Sequence, residues 1–187
     1  TKARAKKYAE AFEGALGAIQ SIRQPTISMI QGICAGGGCE LAMATDIRIA
    51  GTHSVFSIPV AKIGVLLGYK EMKRLIQLVG PSNAGYLLLT AKQINETQAL
   101  SIGLVNEVVS SGSLAEYVYD LAILMSDYSP LAQSGNKKIL ETVLHDLNLD
   151  ALTEEEQNFP LAIFDTSDSK EGYQAFIEKR KPKFTGH

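Results

Sequence analysis

Three consecutive glycines, Gly36-Gly37-Gly38, constrain this chain more than any other feature, because the elements on either side leave them one sensible place in a fold. Before them, Thr26-Ile27-Ser28-Met29-Ile30 is short, apolar and partly β-branched, the pattern of a buried strand, and Gly32 follows it into a turn. After them, residues 37 to 45 read as a helix. A strand that runs through glycines into a helix presents backbone N–H groups that lack intrahelical partners, at the end where the helix dipole favours negative charge. Such a terminus suits a phosphate or an oxyanion. No Lys-Ser/Thr follows, as a P-loop requires, and the spacing is not Gly-x-Gly-x-x-Gly, so the phosphate reading is the weaker one.

Glu40 falls in the first turn of that helix, within reach of whatever the glycine N–H groups hold. A donor that stabilises an enolate oxygen, beside a carboxylate that moves a proton at the neighbouring carbon, suits chemistry alpha or beta to a carbonyl. The alternative is that Glu40 merely complements the helix N-terminus, worth about 0.3–1 kcal/mol. The local pattern weighs the two evenly.

The rest of the chain has an α/β rhythm that becomes helical. Tyr8, Phe12, Leu16, Ile19 and Ile22, at spacings of three and four, predict an amphipathic helix over residues 2 to 21 with Thr1 as its cap. Asp46 to Ala50 alternates as a strand, and Val55-Phe56-Ser57 is a short strand stopped by Pro59. Helices are expected over 69–79, 81–90 and 96–101, then a strand over 105–109. Helices over 113–127, 130–147, 151–164 and 168–179 follow. We expect a partial catalytic core over 1–110 and a helical region over 111–187, within one structural unit.

The 187 residues, 45% hydrophobic and 20% charged, have the composition of an ordinary globular protein of one domain. A net charge of −2 supplies no basic footprint for nucleic acid, and Lys179-Arg180-Lys181-Pro182-Lys183 is too short and local to change that. No stretch approaches the roughly 20 apolar residues of a membrane span. Two cysteines, Cys34 and Cys39, and three scattered histidines make neither a disulfide framework nor a zinc site, so no metal is expected and the thiols read as reduced core residues. These features place the protein in the cytoplasm or another reducing intracellular compartment.

The run from Gln24 to Ala50, with Gly36-Gly37-Gly38-Cys39-Glu40 at its centre, resembles the signature segment of the crotonase (enoyl-CoA hydratase/isomerase) family. Further matches are Phe56, Pro59, Gly64, Arg74-Leu75, Ala99, Gly103-Leu104-Val105 and Val108-Val109. The ending Glu171-Gly172-Tyr173-Gln174-Ala175-Phe176-Ile177-Glu178-Lys179-Arg180-Lys181-Pro182 is similar to that family's usual one. The resemblance implies a crotonase-like spiral of ββα units followed by a C-terminal helical trimerisation region, in a homotrimer or dimer of trimers. It implies an acyl-CoA thioester as substrate, coenzyme A being part of that substrate, and no separate cofactor. By matching position Gly37 supplies an oxyanion-hole N–H and Glu40 is one of two catalytic glutamates. Gly36, Gly38 and Val60 fall at substrate-binding positions, and Phe176 and Lys179 match residues that touch the CoA nucleotide of a neighbouring subunit. For the last two, a core aromatic and a solvated lysine remain equally good readings.

Two departures bear on the reaction. The hydratase pattern carries its second glutamate directly after the proline matched by Pro59, and here that residue is Val60, which can neither take nor give a proton. Lys62, Tyr69 and Glu71 are nearby in sequence, although a solvated lysine and a helix-start glutamate are their simpler readings. The family's opening hairpins and CoA-binding loop, source of the second oxyanion N–H, have no counterpart before Thr1. Either the chain is a fragment or the protein is a truncated paralogue; if nothing precedes Thr1, half the oxyanion hole is absent, a loss of about 100- to 1000-fold in rate. The sequence thus predicts an acyl-CoA-acting enzyme of hydratase/isomerase type, with a non-catalytic acyl-CoA-binding or assembly paralogue as the alternative.

Overall fold

The chain opens with α1 (Lys2–Gln20), whose first turn is capped by the Thr1 hydroxyl, which accepts the Arg4 N–H at 3.5 Å. Of the expected apolar stripe, Leu16 is fully buried, Phe12 and Ile19 are half-buried, and Tyr8 and Ile22 are exposed. The computed structural model describes residues 1–145 and 148–187, which divide into two units: residues 1–22 with 26–119, and residues 23–25 with 120–187.

In the first unit β1 (Ile27–Ile30) turns at Gly32, where φ is +78°, into β2 (Ile33–Ala35). Then come α2 (Gly37–Met43), β3 (Ile47–Gly51) and β4 (Val55–Ser57). After a 3₁₀ turn at Val60–Ile63, α3 (Tyr69–Thr90) leads to β5 (Ile94–Asn95), α4 (Glu96–Ser101) and β6 (Glu107–Val109). The two helices expected over 69–79 and 81–90 are the halves of α3, which breaks at Gly80 (φ 73°, ψ 164°) just before Pro81. One sheet has the order β1-β3-β6, all parallel, and the other has β2-β4-β5, parallel then antiparallel.

β3 does not show the alternating burial its sequence suggests. Arg48, Ile49, Ala50 and Gly51 are all buried, because β3 lies centrally between β1 and β6. Arg48 is tolerated there because its Nε donates to the Leu104 carbonyl at 2.9 Å and an Nη to the Thr45 carbonyl at 2.6 Å. The apolar core draws Ile30, Cys34, Cys39, Met43, Phe56, Ile58, Leu75 and Val79 into one cluster. β2 and β5, three and two residues long, were not expected from sequence.

The helix α5 (Leu114–Ser126) runs across the division between the units. The second unit continues with α6 (Pro130–His145), a 3₁₀ turn at Leu149–Ala151, α7 (Glu154–Asn158), a 3₁₀ stretch at Phe159–Asp165 and α8 (Ser167–Glu178). The last two residues of the helix expected over 130–147 lie outside the described residues. The single helix expected over 151–164 is corrected. Leu152 is extended (φ −58°, ψ 141°), and a new helix starts at Thr153, whose hydroxyl and Glu156 form a reciprocal capping box. Beyond Asn158, Pro160 provides no N–H and the chain tightens to 3₁₀.

A polar clamp closes this unit. The buried Asp168 carboxylate accepts the Ser129 hydroxyl at 2.8 Å and the N–H groups of Thr185 and Gly186 at 2.8 and 3.1 Å. Burial pushes its carboxyl up, and these three bonds together outweigh that and hold it below the usual range. Among the described residues, no helix is long and apolar enough to cross a membrane.

Candidate active site

The glycine turn is built as its sequence demands. Gly36 adopts φ 52°, ψ −122°, a conformation glycine adopts readily and L side chains seldom do, and its N–H is tied to the Ser57 carbonyl at 2.9 Å. Its own carbonyl accepts the Glu40 N–H at 3.0 Å, the bond that starts α2. The N–H groups of Gly37, Gly38 and Cys39 precede that bond and have no intrahelical acceptor, and both Gly37 and Gly38 are open to solvent. The Phe12 ring of α1 lies beside Gly37. A Cβ there would lie 3.4 Å from the Phe12 ring, which stacks on Tyr8 at 5.8 Å between centroids. This aromatic wall left no trace in the local motif, since it depends on two distant elements meeting.

Glu40 stands at the end of this turn, 9% exposed. Burial pushes its carboxyl above the usual range; the negative charges of Glu71 and Glu13 add to that, while Arg74 opposes it. A carboxyl raised in this way holds its proton to a higher pH than a free one. Cys39, next to it, is held protonated by its hydrogen bond with Cys34 and by burial, and both cysteines are free buried thiols.

Around Glu40 lies a charged network that the sequence reading missed. Arg74 of α3, itself buried, binds Glu13 of α1 in a fork at 3.0 and 2.6 Å, and its Nε donates to Gln20 at 2.9 Å. Lys70 approaches Glu13 at 3.6 Å. This clamp fixes α1 against α3 and lowers the Glu13 carboxyl, mainly through the Arg74 hydrogen bond. Arg74 had been noted only as part of a matching segment.

The other residues named from sequence are dispersed. Val60, first residue of the 3₁₀ turn, is half-buried and packs on the edge of the apolar core. Lys62 and Tyr69 project into solvent, Tyr69 being 97% exposed, whereas Glu71 is half-buried in the first turn of α3. Phe176 and Lys179 lie in the second unit. Phe176 is 83% exposed, which removes the reading of it as a core aromatic, and Lys179 is the exposed C-cap of α8 with φ 52°. No group of three or more His, Cys, Asp or Glu among the described residues could hold a metal ion.

A buried carboxyl beside backbone N–H groups without intrahelical acceptors is a combination suited to stabilising an enolate. The family model for enoyl-CoA hydratase/isomerase matches residues 1–187. The crotonyl-CoA hydratase of Syntrophomonas wolfei is 40% identical over 177 residues, covering 91% of this chain and 67% of that protein. The 2,3-dehydroadipyl-CoA hydratase of Escherichia coli is 36% identical over 168 residues, covering 90% and 66%. The methylmalonyl-CoA decarboxylase of the same bacterium is 34% identical over 171 residues, covering 90% and 65%. The chain thus spans about two thirds of the length of these curated relatives. Among solved structures, an enoyl-CoA hydratase/carnithine racemase from Magnetospirillum magneticum superposes with a TM-score of 0.91 at 31% identity, covering 98% of this chain and 67% of that one. An enoyl-CoA hydratase from Bacillus anthracis gives 0.93 at 27% identity, covering 100% and 72%. With its crotonase-like α/β fold, the chain belongs to the enoyl-CoA hydratase/isomerase family.

Proposed function

We propose that the protein acts on an acyl-CoA thioester by stabilising its enolate, with the carbonyl oxygen on the Gly37 N–H and Glu40 transferring a proton at the adjacent carbon. The observation that carries this is the buried Glu40 carboxyl, shifted upward, at the end of a turn whose Gly37 N–H has no intrahelical acceptor. Gly36 and Gly38 bind substrate by letting it approach the backbone closely, and Val60 gives an apolar wall. A thioester enolate is the shared intermediate of hydration, double-bond migration and decarboxylation, and the relatives named above include a decarboxylase as well as hydratases. No separate cofactor is needed, since a backbone donor and a carboxyl suffice for proton transfer.

The second unit presents Phe164, Tyr173, Phe176 and Ile177 to solvent, a large apolar surface for one helical region. It serves contacts with further copies of the chain, in a trimer or a dimer of trimers, where Phe176 and Lys179 reach the CoA end of a neighbour's substrate. Val60, without an ionisable group, favours a second reading, an acyl-CoA-binding protein without turnover. The deciding assay offers the full-length protein and its Glu40→Gln variant a panel of enoyl-CoA esters, following hydration and bond migration separately. Turnover by the wild type that Glu40→Gln abolishes supports the enzyme. Binding without turnover of any ester would install the second reading.

A further inference from the structure

Adding water to a conjugated thioester moves two protons, one leaving the water as its oxygen bonds to the β-carbon and one arriving at the α-carbon. Glu40 handles one of them in the reading above, on which this inference rests. Three groups act electrostatically on the Glu40 carboxyl: Glu71, Arg74 and Glu13. The Arg74 guanidinium has donors and no acceptor, so it cannot serve as a base. Glu13 has both oxygens on the Arg74 guanidinium, at 3.0 and 2.6 Å, with Lys70 beside it at 3.6 Å, so its lone pairs are committed. The neighbouring thiol of Cys39 is buried and held protonated.

Glu71 differs from all of these. It is half-buried in the first turn of α3, and among the described residues no hydrogen bond or ion pair engages its oxygens. α2 and α3 pack through one cluster, in which Cys39, Ala42 and Met43 meet Leu75 and Val79, with Met72 and Val60 on its edge. α2 and α3 are thus in contact, Glu40 lying on one and Glu71 in the first turn of the other, and Glu71 is the charge that acts most strongly on the Glu40 carboxyl. The Glu71 carboxylate lies back over Gly68, so closely that a Cβ on Gly68 would overlap it.

We propose that Glu71 is the second proton-transfer group, working with Glu40 in the addition of water to a 2-enoyl-CoA. Glu71 takes a proton from the water while the water oxygen bonds to the β-carbon. The double-bond electrons move through the α-carbon to the thioester oxygen, held at the Gly37 N–H. Glu40, entering protonated, gives its proton to the α-carbon as the enolate collapses. The proton left on Glu71 returns through solvent to Glu40. One water is consumed and nothing is oxidised or reduced. The negative charges of Glu71 and Glu13 and the opposing charge of Arg74 act on the Glu40 carboxyl, whose neighbour Cys39 is a buried thiol.

The test uses the full-length protein with 2-butenoyl-CoA for hydration and a 3-enoyl-CoA for bond migration, which moves its proton through one carboxylate. Glu71→Gln is expected to lower the hydration kcat by about 100-fold or more, to leave KM within a few-fold and to remove one limb of the pH–rate profile, while bond migration persists. Glu71→Asp should recover part of the loss. Gly68→Ala provides an independent arm. Gly68 has φ −70° and ψ 162°, which alanine adopts without strain, and its new methyl displaces only the flexible end of Glu71. Hydration should fall with Tm unchanged. Should Glu71→Gln fail to fold, the Asp and Gly68→Ala variants decide. Hydration within about threefold of wild type in Glu71→Gln or Gly68→Ala, with Glu40→Gln inactive, would overturn the role of Glu71 and leave the enolate reading standing. A wild type that binds both esters and converts neither overturns both.

Discussion

The turn Gly36–Glu40 and the segment Pro59–Glu71 border the same apolar cluster, yet they deliver chemistry in opposite ways. In the turn, what is offered lies in the backbone: a positive φ at Gly36, N–H groups at Gly37 and Gly38 without intrahelical acceptors, and one carboxyl carried by the helix those groups begin. In the segment, the backbone is ordinary apart from Gly64 at φ +69°, and what is offered depends on its side chains. At Val60 that is a methyl surface; eleven positions on, at Glu71, it is a carboxylate. Function held in backbone geometry leaves a fixed sequence mark, whereas function held by a side chain can move to a neighbouring position while the fold stays the same.

The largest expected effect strikes the turn. Glu40→Gln should lower kcat by about 100- to 10,000-fold and leave CoA-ester binding nearly unchanged, as steady-state rates and calorimetry together would register. Slightly smaller is the loss on removing a donor: Gly37→Pro deletes the N–H at the first helical position, where proline is tolerated, and should cost about 100- to 1000-fold in rate. Equal activity in that variant would mean that the turn does not hold the oxyanion.

Stability separates the turn from its surroundings with opposite signs. Arg74→Met leaves Glu13 without its fork and should cost about 1–3 kcal/mol by denaturant unfolding at pH 7. Because Arg74 lowers the folded-state Glu13 carboxyl, that contribution is present above the unfolded value near 4.3 and is lost as pH falls through the folded one. Glu40 behaves in reverse. Its folded-state carboxyl is raised, so its contribution is full below about pH 4.3 and is lost as pH rises through the folded value. The smallest predicted effect follows: Glu40→Gln should raise Tm modestly at pH 7 and not at pH 4. A Tm that falls at pH 7 would mean that Glu40 is a structural anchor rather than a strained functional group.

How much was legible in the sequence tracks this same division. β1, the glycine turn and α2 followed from residue types, as did the break at Gly80-Pro81, since glycine and proline announce their backbone demands locally. Four things were not legible. The Phe12 wall and the Glu13–Arg74 fork join residues on different helices, which no local pattern records. The helix expected over 151–164 read well by periodicity but lost to the Thr153–Glu156 capping box and to Pro160. Arg48 hides in a strand whose alternation promised an exposed face, because distant carbonyls at Leu104 and Thr45 satisfy it.

The central claim is that Glu40 moves a proton at the carbon next to a thioester carbonyl, and exchange in deuterated water reads that step without presuming the net reaction. A saturated short-chain acyl-CoA incubated with the full-length protein should gain deuterium at its α-carbon, and Glu40→Gln should slow this by about 100-fold or more. A wild type that binds the ester without exchanging it, or a Glu40→Gln variant that exchanges it equally fast, would contradict the account.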